Sequence, residues 1–268
     1  MGPMRARAVA GSFYPGRPGE LAAAVQGYLA DAALSESGET APKAIIVPHA
    51  GYIYSATVAA AAYARLKPLA GTVSRVVLLG PAHTLPLAAI AAPHAEAFDG
   101  PLGPLTVDRP ALWSLAGLSQ VVQDDGPHAR EHALEVQLPF LTAILGEVAI
   151  LPLLVGDVAP RAAAEVIERL WGGPETLILI STDLSHYHPY EAARARDAAT
   201  AAAIEALAGE TIGPEDACGC RALAGLLAAA RARGLAIERL DLRTSGDTAG
   251  PKDRVVGYGA WALYEGAG

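Results

Sequence analysis

Three histidines of this chain each follow a predicted strand within a few residues of its end: His49, His83 and His186, in AIIVPH, VVLLGPAH and LILISTDLSH. A buried strand cannot continue through proline, because proline donates no ladder hydrogen bond. Open α/β sheets bind ligands beyond the carboxyl ends of their strands, so we expect the three side chains to meet at one sheet edge. Neutral imidazoles there suit a transition metal or acid–base chemistry. For each histidine alone, a structural role is the alternative.

An acidic ligand often completes a metal site built on imidazoles, as in the two-histidine, one-carboxylate sites of non-haem iron oxygenases. Asp247, in the loop before the last predicted strand, is the best candidate for that ligand. The alternative for Asp247 is a turn-forming aspartate within Ser-Gly-Asp. We expect Asp183 to position a ligand or to cap a helix rather than to bind metal itself.

A further histidine motif, HAREH at 128–132, has the H-x-x-E-H spacing of inverse zinc peptidases. That chemistry requires both histidines on one face of a helix. A Gly-Pro pair precedes His128, so we expect His128 to lie before a helix over 131–145, which Pro139 kinks or breaks. We interpret the spacing as a chance match and expect Glu131 and His132 to face the site as groups that support the ligands.

The two cysteines, Cys218 and Cys220, are separated by one residue, so a disulfide between them would be strained. They lack the further soft ligands of a zinc site, and we interpret both as small buried hydrophobic residues. Their scarcity favours a reducing compartment. The sequence contains no glycine-rich phosphate loop and no G-x-S-x-G motif, which argues against nucleotide and serine-hydrolase chemistry.

The composition excludes several classes of partner. The chain has 268 residues, of which 52% are hydrophobic and 18% charged, so it can bury a large core. Its formal net charge of −8 without a basic run argues against nucleic acid. No apolar stretch is long enough to span a membrane, and no signal-peptide region is evident, so we expect a cytoplasmic protein with no membrane partner.

Strands alternate with helices along the chain, with no internal repeat and no linker. We predict a single α/β domain over residues 1–268, with three layers and a central mostly parallel or mixed sheet flanked by helices. The predicted helices include 18–33, 55–66 with Ser55 as N-cap, 190–207 and 214–233, and the closing strands are 236–242 and 255–264.

Motifs spread over nearly the whole chain resemble the Memo family, whose bacterial and archaeal branch is called AmmeMemoRadiSam system protein B. The segments that carry the resemblance are VAGSFYPG, VPHAGYIYS, LLGPAHT, EHALEVQLPFL, STDLSHY, TSGD and RVVGYGAWAL. The resemblance implies a fold like that of class III extradiol dioxygenases, with a site at the carboxyl edge of the sheet.

The resemblance also implies roles for individual residues. His49 and His83 match the two metal-site histidines, and His186 matches the acid–base histidine of the dioxygenase relatives. The third metal position is a cysteine in animal members and a glutamate in the dioxygenases. This chain has neither there, and Asp247 is the nearest candidate, with Thr248 adjacent.

Three functions are compatible with these observations. The first is a metal-dependent oxidoreductase with iron(II), or copper, at His49, His83 and Asp247, and a substrate pocket lined by Tyr52, Tyr54 and Tyr187 unless these pack in the core. The second is a protein without catalytic activity, and without metal as isolated, that binds a small molecule, a peptide or other AmmeMemoRadiSam system proteins. The third is a zinc hydrolase built on His49, His83 and either His128 or His132.

Overall fold

Two sheets organise the protein in this computed structural model, which describes residues 2–33 and 41–266. Met1, 34–40 and 267–268 of the predicted domain lie outside the described residues. The strands in the described part are β1 (Met4–Arg5), β2 (Ala44–Val47), β3 (Arg75–Pro81), β4 (Ile90–Ala92), β5 (Ala97–Phe98), β6 (Leu105–Thr106), β7 (Val121–Gln123), β8 (Ala149–Val155), β9 (Thr176–Ser181), β10 (His186–His188), β11 (Ala236–Thr244) and β12 (Val255–Tyr264).

The larger sheet is mixed and has the strand order β10-β12-β2-β9-β3-β8-β4-β7, with β11 also paired to β12. Its centre is the parallel set β2-β9-β3-β8. These strands are almost completely buried, as expected for parallel strands with helices on both faces. Their carboxyl ends therefore lie along one edge of the sheet.

Strand β12 brings β10 to that edge. It runs antiparallel to β2 and β10, with Trp261 opposite Ile46 and Val256 opposite His186. The first part of β12 thus pairs with β10 and the last part with β2. This register places His186 beyond the point where β2 ends, on the side where the chain continues to His49.

The helices flank the sheet in two groups. Helices α1, α2 and α5 contact one another, as do α6 and α8, while α7 packs on β11 and β12. Among the residues described, no helix combines the length and apolar character needed to cross a lipid bilayer. The helices are α1 (Pro18–Ala33), α2 (Tyr52–Ala64), α3 (Arg109–Ser114), α4 (Gly126–Ala129), α5 (Leu138–Leu145), α6 (Pro160–Arg169), α7 (Tyr190–Glu205) and α8 (Cys220–Arg233). The predicted α/β class with a mixed central sheet is confirmed.

Two predicted helix starts are wrong. Helix α2 begins at Tyr52, directly after the extended Gly51, and the Ser55 hydroxyl donates to the Ala50 carbonyl instead of capping the helix. Helix α8 begins at Cys220 rather than at 214, because the Asp216 carboxylate accepts the Gly213 N–H and holds the preceding residues as a turn.

The predicted helix over 131–145 also differs. Its first part is a turn followed by a 3-10 helix, Glu135–Gln137, and only α5 is α-helical. The Glu131 carboxylate accepts the N–H groups of His132 and Ala133, which holds this segment as a turn. Pro139 lies in the first turn of α5, where the missing N–H costs nothing. Pro139 therefore lies at the start of a helix, and the predicted helix over 131–145 is broken before it rather than kinked.

Candidate metal centre

Three histidine rings meet beyond the carboxyl ends of the central strands. One ring nitrogen from each of His49, His83 and His132 lies within 4.8 Å of the other two. The ring of His49 lies 5.2 Å from that of His83 and 5.4 Å from that of His132, between centroids, and the other two rings stack at 4.7 Å. The third member of this group is His132 and not Asp247.

The elements that hold the three rings differ. His49 and His83 follow β2 and β3, whose ends share one edge of the sheet. His132 comes from the turn between α4 and the 3-10 helix, which crosses over that edge. Its ring also packs 4.6 Å from the ring of Phe13, so the N-terminal segment covers the side of the site.

A hydrogen-bond network assigns the tautomer of His49. Its Nδ1 lies 2.9 Å from the Ser181 hydroxyl. That hydroxyl donates its hydrogen to the Ala133 carbonyl and accepts from Gln137 Nε2, whose other hydrogen goes to the Pro48 carbonyl. Since the serine has no second hydrogen to give, His49 Nδ1 must be the donor. The lone pair of His49 is therefore on Nε2.

The buried Glu131 carboxylate determines which nitrogen carries the hydrogen in the other two rings. One oxygen lies 2.9 Å from His83 Nδ1 and 3.2 Å from His132 Nδ1, and the other accepts the His83 backbone N–H. Burial would raise the pKa of Glu131, but the hydrogen bonds from His83 and from backbone N–H groups outweigh it and lower the pKa to about 2. An ionised carboxylate only accepts, so the His83 ring carries its hydrogen on Nδ1 and presents Nε2. A lone pair on His132 Nδ1 would face the negative oxygen at 3.2 Å, so the same tautomer is favoured there.

The environment disfavours the charged form of the His49 and His132 rings. Burial, reinforced by the neighbouring His83 and His132, holds the pKa of His49 well below its usual value. Burial also lowers the pKa of His132. Neutral imidazoles whose Nδ1–H groups are bound to the protein are the form in which histidine ligates zinc, copper and iron. The donor set of His49, His83 and His132 therefore fits a transition-metal ion, and the cluster could hold one.

Cys218 contacts this cluster, unlike the small buried residue that the sequence predicts. Its Sγ lies 3.3 Å from His49 Nε2 and accepts the Asp183 backbone N–H at 3.3 Å. Burial, reinforced by Asp183, raises the pKa of the thiol to about 12, so it is protonated at neutral pH. Cys220 is buried as predicted, and both cysteines are free.

The histidine cluster forms one wall of a cavity of about 530 Å³. His186, Asp183, Tyr54 and Tyr187 of the predicted site line the same cavity, and so does Phe13. Tyr52 does not line it: its ring packs on Tyr14 and Phe140, and its hydroxyl donates to the Val136 carbonyl at 2.7 Å. Of the three predicted pocket tyrosines, two therefore lie in the cavity and one belongs to the core.

Asp183 ties two of the strand ends together. It is 4% exposed, and its carboxylate accepts the His49 backbone N–H at 2.7 Å. Burial raises the pKa of this carboxyl group, although the hydrogen bond from His49 opposes the shift. The carboxylate therefore supports the backbone of the loop that carries His49.

Asp247 lies outside the histidine group. Its carboxylate accepts the backbone N–H and the hydroxyl of Thr244 at 2.8 and 2.9 Å, which closes a capping box. The hydroxyl of Tyr190 donates to the other oxygen at 2.5 Å. The side chain lines a small neighbouring cavity beside Asp197. The loop that carries Asp247 reaches the main cavity through other residues, among them Ser245 and Pro251.

His128 also lies apart from the cluster. It is 1% exposed, its Nε2–H donates to the Ala91 carbonyl at 3.0 Å, and burial lowers its pKa to about 4. The H-x-x-E-H spacing therefore forms no site of its own, in agreement with the prediction. His132 is the ligand-type residue that the sequence underrated. Its signal in the sequence is the HAREH motif, through which the zinc-hydrolase alternative offers His132 as a third ligand.

Comparison with solved structures supports the fold. An uncharacterised protein from Escherichia coli K12 superposes with a TM-score of 0.50 over 80% of this chain and 98% of its own. The two sequences are 12% identical, so this likeness shows a shared fold alone.

Comparison with curated sequences finds relatives along the full length. MEMO1 family proteins from Methanopyrus kandleri and Thermotoga petrophila are each 34% identical to it, over 98% and 97% of this chain and 99% of each relative. One from Sulfolobus acidocaldarius is 32% identical over 95% of this chain and 97% of its own. The family described as Memo-like protein matches residues 5–262. This chain therefore belongs to the Memo family.

Proposed function

We propose that this protein is a metal-dependent enzyme of the non-haem type, whose ion is held by His49, His83 and His132. The observation that carries the proposal is the orientation of the three rings. Each has its Nδ1 beside an oxygen of the protein, which leaves Nε2 to bind a ligand, and one ring nitrogen of each lies within 4.8 Å of the other two. Ligating histidines are usually held in this way by a carboxylate, a carbonyl or a hydroxyl group behind them.

The donor set leaves iron(II), copper and zinc as candidates, because imidazole suits all three. We favour iron(II) and an oxidoreductase activity. When bound, such an ion would supply one-electron and dioxygen chemistry at the coordination positions that the three histidines leave open. Asp247 is not needed as a ligand in this proposal, since its oxygens already accept hydrogen bonds from Thr244 and Tyr190.

The remaining cavity residues would bind the substrate and move a proton. His186 lines the cavity together with the three proposed ligands, so it can exchange a proton with a ligand held there. Phe13, Tyr54 and Tyr187 offer flat apolar surfaces for a planar substrate. Asp183 would keep the His49 loop in place through its hydrogen bond to the backbone.

A zinc hydrolase is the second candidate, favoured by one observation. The histidine group contains three imidazoles and no carboxylate, which is a known ligand set of catalytic zinc. Glu131 could not act as the general base of such an enzyme. Its oxygens already accept from the His83 ring and three backbone N–H groups, and one of them lies 3.2 Å from His132 Nδ1.

Metal analysis followed by two activity assays tests these proposals. Protein purified without an affinity tag or chelator would be analysed for metal, then reconstituted anaerobically with iron(II), copper or zinc. We expect oxygen uptake with iron(II) and simple catechols, and its loss in His186→Asn with metal binding retained. Ester or peptide hydrolysis by the zinc form alone would favour the second candidate. Absence of stoichiometric binding of any of the three metals would contradict both, and would leave a protein that binds a peptide or another partner.

A further inference from the structure

One cation lines the cavity beside the histidine cluster. Among the cavity residues that the structure describes, Arg254 is the single lysine or arginine. Its guanidinium carbon lies 5.2 Å from the centroid of the Tyr187 ring. Within the described residues it forms no ion pair, whereas arginines of the neighbouring elements α7 and β11 are paired with acidic groups: Arg194 with Glu191, Arg196 with Asp216 and Arg243 with Asp241. The Arg254 N–H groups are therefore available to a ligand.

Tyr187, whose ring lies beneath Arg254, has an unusual backbone conformation. Tyr187 has a φ of 61°, in the left-handed region that tyrosine rarely adopts, and its side chain is 63% exposed. Such conformations persist where the surrounding structure imposes them, and they cluster at ligand sites. An aromatic face under a guanidinium group orients its planar fork, and that fork matches the two oxygens of a carboxylate.

Four aromatic residues form much of the rest of the cavity wall. Phe13, Tyr54 and Tyr258 line it with Tyr187. The acidic residue among the lining groups, Asp183, is 4% exposed and bound to the His49 backbone. A chain with a formal net charge of −8 does not attract anions by its overall field, so selection of an anion requires a local cation.

The geometry points to a planar aromatic carboxylate as the ligand of this cavity, with its carboxylate on Arg254 and its ring between the aromatic walls. Arg254 would then determine specificity, and the opposite edge of the ligand would face the histidines. This inference deepens the proposed function and rests on it for the end of the ligand that reacts. The carboxylate contact itself does not require a metal.

A binding experiment with two nearly isosteric probes tests the inference. The full chain, stripped of metal with a chelator, would be titrated with 2-naphthoate and with the uncharged 2-naphthamide. We expect the wild type to bind the carboxylate roughly 10-fold or more tightly than the amide, as one charge-assisted pair provides. Arg254→Gln should bring the two affinities together, and Arg254→Lys should restore part of the difference.

The matched control is Lys252→Gln. It removes one positive charge from the same loop, but Lys252 lies over the ring of Tyr190 at 4.2 Å and does not line the cavity. This variant should keep the wild-type preference. Equal binding of the two probes by the wild type, or a preference that survives in Arg254→Gln, would overturn the inference. Tighter binding of 2-naphthyl phosphate than of 2-naphthoate would overturn the carboxylate as its class.

The two proposals fail separately. If the protein binds no metal but keeps the Arg254-dependent preference, the metal proposal fails and the anion site stands. If metal binds stoichiometrically and the preference is absent, the anion site fails and the metal proposal stands.

Discussion

The nitrogen that each histidine offers depends on the partner behind its ring. For His49 that partner is Ser181, and for His83 and His132 it is the single carboxylate of Glu131. A carboxylate that contacts two rings fixes their orientation together. Glu131 is thus the residue outside the proposed ligand set on which the geometry depends most.

Replacing Glu131 with glutamine tests this dependence. The amide has one acceptor oxygen instead of two. If that oxygen stays beside the two rings, the NH₂ group faces the His83 backbone N–H that the carboxylate now accepts, and if the amide is reversed, the NH₂ group faces the rings. We expect metal affinity to fall by about 10- to 100-fold in Glu131→Gln. A competition titration against a chelating indicator would measure it. Glu20→Gln, at an exposed position on α1, is the control and should bind like the wild type. Unchanged affinity in Glu131→Gln would refute this role.

At this scale the sequence predicts part of the site. His49 and His83 follow from strand ends alone, because a breaker and a histidine come directly after buried apolar runs. His132 does not follow from its own neighbours. Its turn depends on Glu131, which binds His83 across 48 positions of the chain. Asp247 was a reasonable choice by residue type, but its capping bonds could be known only once the loop was folded.

Among the elements, α8 approaches the end of β9 very closely. A Cβ atom on Gly219, just before α8, would lie 2.7 Å from Thr182 Cβ and 2.9 Å from the Ser181 carbonyl oxygen. Glycine is therefore required for α8 to pack here. The same approach carries Cys218 to His49.

A pair of glycine substitutions measures this packing. Gly219→Ala should destabilise the fold by about 1–3 kcal/mol, because the backbone must shift to admit the methyl group. Gly27→Ala, inside α1 with open space around it, should be neutral or stabilise by roughly 0.5–1 kcal/mol. Denaturant unfolding gives both values. Equal effects at the two positions would show that α8 can move away from the end of β9 without loss of stability.

A buried histidine joins α4 to β4 and should make stability depend on pH. His128 has a folded pKa of about 4, against about 6.5 in the unfolded chain. Between these values the unfolded state binds a proton that the folded state does not, so stability is lost as pH falls from about 6.5 to 4. His128 contributes up to roughly 3 kcal/mol to this loss in the free energy of unfolding.

His128→Gln, whose amide can still donate to the Ala91 carbonyl, should reduce this loss. The free energy of unfolding would be compared at pH 7.5 and 5 in the wild type and the variant. His94→Gln, at an exposed loop position, serves as the control. The same pH dependence in His128→Gln and the wild type would contradict the assignment.

At the scale of the whole molecule, the alternation of strands and helices was enough to predict the α/β class. The apolar runs of β2, β3 and β9 are readable because these strands are buried on both faces. The sequence did not predict that β10 and β2 both pair with one edge of β12, because this pairing depends on contacts between distant segments. That pairing is what carries His186 to the cavity.

The proposed function depends most on His132 as the third metal ligand. Its most direct test is the metal content per chain of the wild type, His132→Ala and Asp247→Asn after reconstitution and removal of unbound ion. We predict one ion per chain in the wild type and in Asp247→Asn, and a large loss in His132→Ala. Full occupancy in His132→Ala together with loss in Asp247→Asn would contradict it.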